Sequence, residues 1–122
     1  MQEENLGTIK ISDDVIITCA GNVAKSIEGV HGLTVTGGIG DSIQKNILGK
    51  DSNGKGVKVS HSEEGITLDI YVIVEYKVKI PQLAWEIQGT VKREIEATTE
   101  LNVLAVNIHV QGVHLPGEED VR

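Results

Sequence analysis

One uninterrupted stretch, residues 81–113 (PQLAWEIQGTVKREIEATTELNVLAVNIHVQGV), changes its hydrophobic period once, and that change limits the fold more than any other feature. Pro81 suits the first turn of a helix, where a missing N–H costs nothing. Leu83, Ile87, Val91 and Ile95 then recur every fourth residue and form one apolar stripe, widened by Ala84, with Glu86, Arg93 and Glu96 off it. At Val103 the period falls to two. Val106, Ile108 and Val110 point one way, and Asn107, His109 and Gln111 the other. A helix therefore runs directly into a strand with one buried and one wet face.

The preceding residues supply the rest of a two-layer structure. Residues 66–78 alternate with Ile66, Leu68, Ile70, Val72, Val74, Tyr76 and Val78 on one side, the clearest strand in the chain. Ser62-Glu63-Glu64-Gly65 makes a hairpin turn back to a strand begun by Val57 and Val59. Nearer the N-terminus, LGTIKI (6–11) alternates like a short strand, and VHGLTVT (30–36) reads as another. Between them Ser12, Asp13 or Asp14 can cap a helix whose stripe is Val15, Cys19, Val23 and Ile27, with Gly29 as its stop. The predicted order is β-α-β-β-β-α-β: an α+β two-layer sandwich with two helices on one face of a mixed β-sheet. The chain, 1–122, reads as a single domain with its core over about 6–115 and an acidic tail at 117–122.

The two helical stripes align at one constant offset, Val15, Cys19, Val23 and Ile27 falling on Leu83, Ile87, Val91 and Ile95. The same offset pairs Gly21 with Gly89 and Ile17 with Trp85. It predicts two related strand–helix–strand units, with both glycines where the helices approach each other and Trp85 over the seam between them.

Composition narrows the function. With 18 acidic against 11 basic residues the net charge is −7, which opposes non-specific binding to nucleic acid or anionic lipid. An aromatic content of 2%, with no Phe, leaves little for base stacking and makes the core aliphatic. A single cysteine, Cys19, excludes an intramolecular disulfide, and its place on a helical stripe suits a buried small hydrophobe. The N-terminus MQEENLG lacks the basic and apolar regions of a signal peptide. No apolar run approaches the ~20 residues of a membrane helix, so a cytoplasmic protein without direct membrane insertion is expected.

No catalytic constellation and no cofactor motif emerges; an enzyme is not expected. His31, His61, His109 and His114 are scattered, without the i,i+4 pair of a helical zinc site, so no metal site is predicted. His109 and His114 can approach Asp69 or Glu75 on the open sheet face. That face, with Lys10, Thr34, Asp69, Tyr71, Asn107 and His109, is one candidate surface. Trp85 is another, lying off the core stripe near Lys92 and Glu96, as large aromatics at partner sites do. The partner-binding candidates are thus Trp85, Lys92, Tyr71 and His109. A competing reading rests on residues 37–56, a long, mobile Gly/Lys loop without sustained period. Gly37, Gly38 and Gly40 form a G-x-x-G element followed by Lys45, Lys50, Lys55 and Lys58. Such an element clamps a nucleic-acid backbone in K-homology domains, so the alternative is an RNA- or phosphate-binding module using loop 37–58.

Gln88, Val91-Lys92, Ile95-Glu96, Thr99, Leu101, Val103 and Val106-Asn107-Ile108-His109-Val110-Gln111-Gly112-Val113 resemble the signature of the bacterial alkaline shock protein family, also described as envelope stress response proteins. The similarity spans roughly residues 7–115, including Gly7–Ile11, Gly56–Val59 and the run from Leu68 to Tyr76 before Ile80-Pro81. Two positions depart from it. Lys77 and Glu100 stand where the family commonly has glycine, and both read as turns. The resemblance implies a non-enzymatic protein of Gram-positive bacteria, serving cell-envelope homeostasis under stress. It also implies self-association, and a cytosolic location or recruitment to the inner face of the membrane by a separate anchoring partner. It carries no catalytic residues and no cofactor.

Overall fold

A computed structural model describes residues 6–34 and 56–117. Its elements are helix α1 (Asp13–Lys25), strands β1 (Val30–Leu33), β2 (Val57–Ser62) and β3 (Gly65–Glu75), helix α2 (Ile80–Thr99) and strand β4 (Val103–His114). Two helices cover one face of a mixed sheet, the α+β sandwich expected from the periodicities.

β3 is the spine. Ile66, Leu68, Ile70, Val72 and Val74 are all buried on its helical side, while every residue between them is half-exposed on the other. β4 lies parallel to it along one edge, reached through α2 as a β-α-β crossover. The opposite edge is shared end to end: β2 is antiparallel to residues 65–70 of β3 and β1 to residues 72–74. Between them Thr34 donates its N–H to the Tyr71 carbonyl, and Tyr71 donates its own to the Gly56 carbonyl. β1 and β2 are thus two halves of one edge strand, with Thr34 and Gly56 meeting at Tyr71. Gly56, at φ +86°, permits the closure, because a Cβ there would sit 2.8 Å from Leu33 Cβ.

α2 follows its sequence pattern: Leu83, Ile87, Val91 and Ile95 are buried against the sheet. Its N-terminus carries Pro81 in the first turn, and its last turn closes with the Glu100 N–H donating to the Glu96 carbonyl, after which the left-handed backbone of Glu100 (φ 64°) turns the chain out of the helix.

α1 departs from its expected stripe. Ser12 caps it, accepting from the Val15 N–H at 3.3 Å. The buried residues, however, are Ile16, Ile17, Ala20, Gly21 and Ala24, while Val15 is 48% exposed and Cys19 and Val23 only flank the core. The helix is apolar around much of its circumference, and it turns its small residues inward so that its backbone approaches the sheet closely. Gly21 lies against Leu33 and Val57, whereas Gly89 faces open space. The predicted glycine contact between the helices does not form. Ile17 is buried and Trp85 is 75% exposed, so the tryptophan does not sit in the seam.

The strand expected at 6–11 is also absent. Leu6 and Ile9 are 88% and 91% exposed, and only Ile11 packs against the core. Alternation makes a segment compatible with a strand, but a strand also needs a partner backbone, and Gly7 (φ +116°) breaks the extended path. The observed order is α-β-β-β-α-β.

Candidate interaction surfaces

The four residues proposed from sequence as a partner site fall on two separate surfaces. Tyr71 and His109 occupy the open face of the sheet; Trp85 and Lys92 lie on α2, which covers the other face.

On the open face, the parallel register sets Asp69 beside Asn107 and Tyr71 beside His109. The rings of Tyr71 and His109 stack with centroids 4.3 Å apart and an interplanar angle of 9°. Asp69 Oδ1 accepts from Asn107 Nδ2 at 3.1 Å and lies 2.9 Å from His109 Nε2. These groups satisfy one another, which makes the surface polar and ordered. A second cluster forms at the end of the sheet. Glu75 lies 3.1 Å from His114 Nδ1 and 3.2 Å from His31 Nδ1, and the two imidazoles stack at 3.8 Å. The hydrogen bonds from His114 and then His31 hold the Glu75 carboxyl below the usual carboxylate range, against the opposing effect of desolvation. That His109 and His114 could approach Asp69 or Glu75 was legible in the sequence; which meets which is set by the register of β4, whose one-residue shift brings His114 to Glu75. The arrival of His31 was not legible, because nothing in the sequence says that β1 flanks β3. His61, at 2.8 Å from Asp13, instead ties β2 to the start of α1.

The second surface runs along the outer edge of β4. In the parallel register the main-chain groups of Val103, Val106, Ile108, Val110 and Val113 point away from β3. α2 covers the first part of this edge with side chains spaced one turn apart. Lys92 Nζ donates to the Val103 carbonyl (2.7 Å), Glu96 accepts from the Val103 N–H (2.9 Å), and Gln88 donates to the Val106 carbonyl (3.0 Å). Lys92 also pairs with Glu96 at 2.9 Å, so it is a strut of the fold as well as a surface group. The Val103 N–H and then Lys92 lower the Glu96 carboxyl below its ordinary range. Trp85 lies on the same helical face, about one turn before Gln88, and is exposed, while the next outward residues of β4 beyond Val106 are Ile108 and Val110. Among the described residues no side chain hydrogen-bonds to the outward main-chain groups of these two. Leu104 and Val113 add exposed apolar surface along β4 (44% and 43%), and Leu115 just beyond its end adds more (42%).

The remaining candidates, Gly37, Gly38, Gly40, Lys45, Lys50 and Lys55, lie outside the described residues. Cys19 is half-buried. Among the described residues no helix is long and apolar enough to cross a membrane.

Comparison with known proteins places the chain in a family. A Streptococcus pyogenes protein, Spy1614, is 38% identical over 112 residues, covering 92% of both chains. A stress response regulator gls24 homolog of the same species is 26% identical over 104 residues, 85% of this chain and 57% of that one. Among solved structures, the copper form of the MamM C-terminal domain shares the fold alone, with a TM-score of 0.50 at 12% identity over 87% of this chain and 90% of that one. The model of the alkaline shock protein 23 family, described as having a cell envelope-related function, matches residues 1–115. The chain accordingly belongs to this alkaline shock protein family, which is tied to the cell envelope and the stress response.

Proposed function

We propose that this protein is a non-enzymatic scaffold of the envelope stress response, which self-associates along β4 and reaches the membrane through a separate anchoring partner. The observation that carries the reading is the division of the β4 edge. Its first part is covered by Gln88, Lys92 and Glu96, while the outward main-chain groups of Ile108 and Val110 receive no side-chain hydrogen bond among the described residues and α2 carries an exposed tryptophan one turn before Gln88. An open edge strand is a template for pairing with another chain, and folds ordinarily blunt such edges with charged side chains. This fold does so for half of the edge only. A second copy, pairing its own β4 in antiparallel fashion, would satisfy the outward groups of both strands and cover both Trp85 rings. Such a twofold contact is self-complementary.

Light scattering over a concentration series tests this. The wild type is expected to gain mass with concentration. Trp85→Ala, which removes an exposed ring without disturbing the core, is expected to weaken association by roughly 30-fold, the scale of a 2 kcal/mol interface hot spot. Val110→Pro, which deletes an outward N–H that β3 does not use, is expected to weaken it as well. A wild type that stays monomeric, or association indifferent to both changes, overturns the proposal.

A further inference from the structure

We infer that His31, Glu75 and His114 form a surface site for a divalent transition-metal ion of the zinc, nickel and copper class. Three different strands supply the donors, and donor atoms from all three lie within 4.8 Å of one another. Two irregularities in the sheet bring them together. In β1, Val30 pairs with Val74 and Gly32 with Ile73, so His31 is the extra residue of a bulge. In β4, Val110 pairs with Val72 but Gly112 pairs with Ile73, a shift of one residue. Strict alternation from Val110 would send Val113 to the open face opposite Glu75 and His114 to the helical face. The shift reverses this and sets His114 beside Glu75. A bulge costs ladder pairing and commonly serves to re-aim a side chain. Here two bulges, on the two strands flanking β3, aim two imidazoles at one carboxylate.

The donor chemistry selects the ion. Two imidazole nitrogens and one carboxylate suit zinc, nickel or copper, whereas magnesium and calcium take oxygen ligands. Zinc with bonds of about 2.0–2.1 Å holds tetrahedral donors roughly 3.3 Å apart. Each carboxylate oxygen of Glu75 is already near that spacing from one imidazole, Oε1 at 3.1 Å from His114 Nδ1 and Oε2 at 3.2 Å from His31 Nδ1. The side chains retain 28%, 43% and 23% of their exposure for His31, Glu75 and His114, so solvent or a further ligand has access to the remaining positions. Both imidazole lone pairs converge on one ion only if the rings tilt out of their parallel stack, a movement confined to side chains. The bound ion would then join both flanking strands to β3.

Titration of the full chain with zinc ion against a chromophoric chelator tests the site. One equivalent is expected to bind. His31→Ala, His114→Ala and Glu75→Gln are each expected to weaken binding by about 100-fold or more, since even outer-shell partners of a metal are worth about 10–100-fold. His61→Ala and His109→Ala, which remove the histidines paired with Asp13 and Asp69, are expected to leave it unchanged. In the unsubstituted protein, histidine ring nitrogen spectra should show zinc shifting His31 and His114 and leaving His61 and His109 in place, a readout independent of how the variants fold. Binding that survives all three substitutions, or ring shifts spread over all four histidines, overturns the inference.

Discussion

Glu100→Gly should stabilise this protein, although it deletes a charged side chain and introduces glycine. Glu100 and Lys77 are the non-glycine residues with positive φ among the described residues, at 64° and 72°. In the left-handed region an L-residue is strained by roughly 1–2 kcal/mol. Glycine relieves that strain but loses more backbone freedom on folding, roughly 0.5–1 kcal/mol. The net gain is about 0.5–1 kcal/mol at Glu100. At Lys77 it falls to the lower end, because the ammonium lies 5.8 Å from the Tyr76 ring centroid, a contact worth about 0.5 kcal/mol at an exposed site. The two positions bracket a 20-residue helix and so are about 30 Å apart, far enough for their effects to add. The double variant should gain about 1 kcal/mol and melt about 4 °C higher. Urea denaturation followed by circular dichroism is the suitable assay, since Trp85 is largely exposed in the native state and reports unfolding poorly. Glu100→Ala is the control: it removes the same charge but keeps a Cβ, and should not stabilise. An equal gain from alanine, or a loss from glycine, would refute the argument.

Three further outcomes follow from the packing. Gly89→Ala, at a helix-interior position facing open space, should stabilise by about 1 kcal/mol in the same assay. Gly21→Ala should give clearly less, because its Cβ would meet Leu33 Cδ1 at 3.3 Å; equal gains would mean that α1 is rotated from the position described. Gly65→Ala, whose Cβ would collide with the Asn102 carbonyl, should destabilise by more than about 2 kcal/mol and loosen the junction where Asn102 Nδ2 donates to the Glu64 carbonyl. The Glu75 and Glu96 carboxyls are depressed on folding from an ordinary value of 4.5. Their stabilisation is therefore fully present above that value and is lost as pH falls below it. Denaturation midpoints between neutral pH and about pH 3 should show a steeper acid loss for the wild type than for Glu75→Gln, and parallel curves would refute the assignment.

Local periodicity alone determined the spine of this protein. β3 buries the five residues its alternation selects, and α2 buries its every-fourth stripe, because each has one apolar face and one way to bury it. Alternation also put His109 on the open face within reach of Asp69 or Glu75, and the family resemblance marked Lys77 and Glu100 as turns. Tertiary structure decided what local pattern left degenerate. α1 is apolar around more of its circumference than it can bury, so the close approach allowed by Ala20, Gly21 and Ala24, rather than its four-residue repeat, chose its buried face. Residues 6–11 have a strand's pattern but no backbone to pair with. The division of one edge strand into β1 and β2 depends on where residues 34 and 56 meet at Tyr71. The same holds for His31, which reaches Glu75 only through strand order and a bulge, both set by hydrogen bonds between residues far apart in the chain. The two surfaces carrying the proposals, the half-open β4 edge and the His31–Glu75–His114 cluster, belong to that second class.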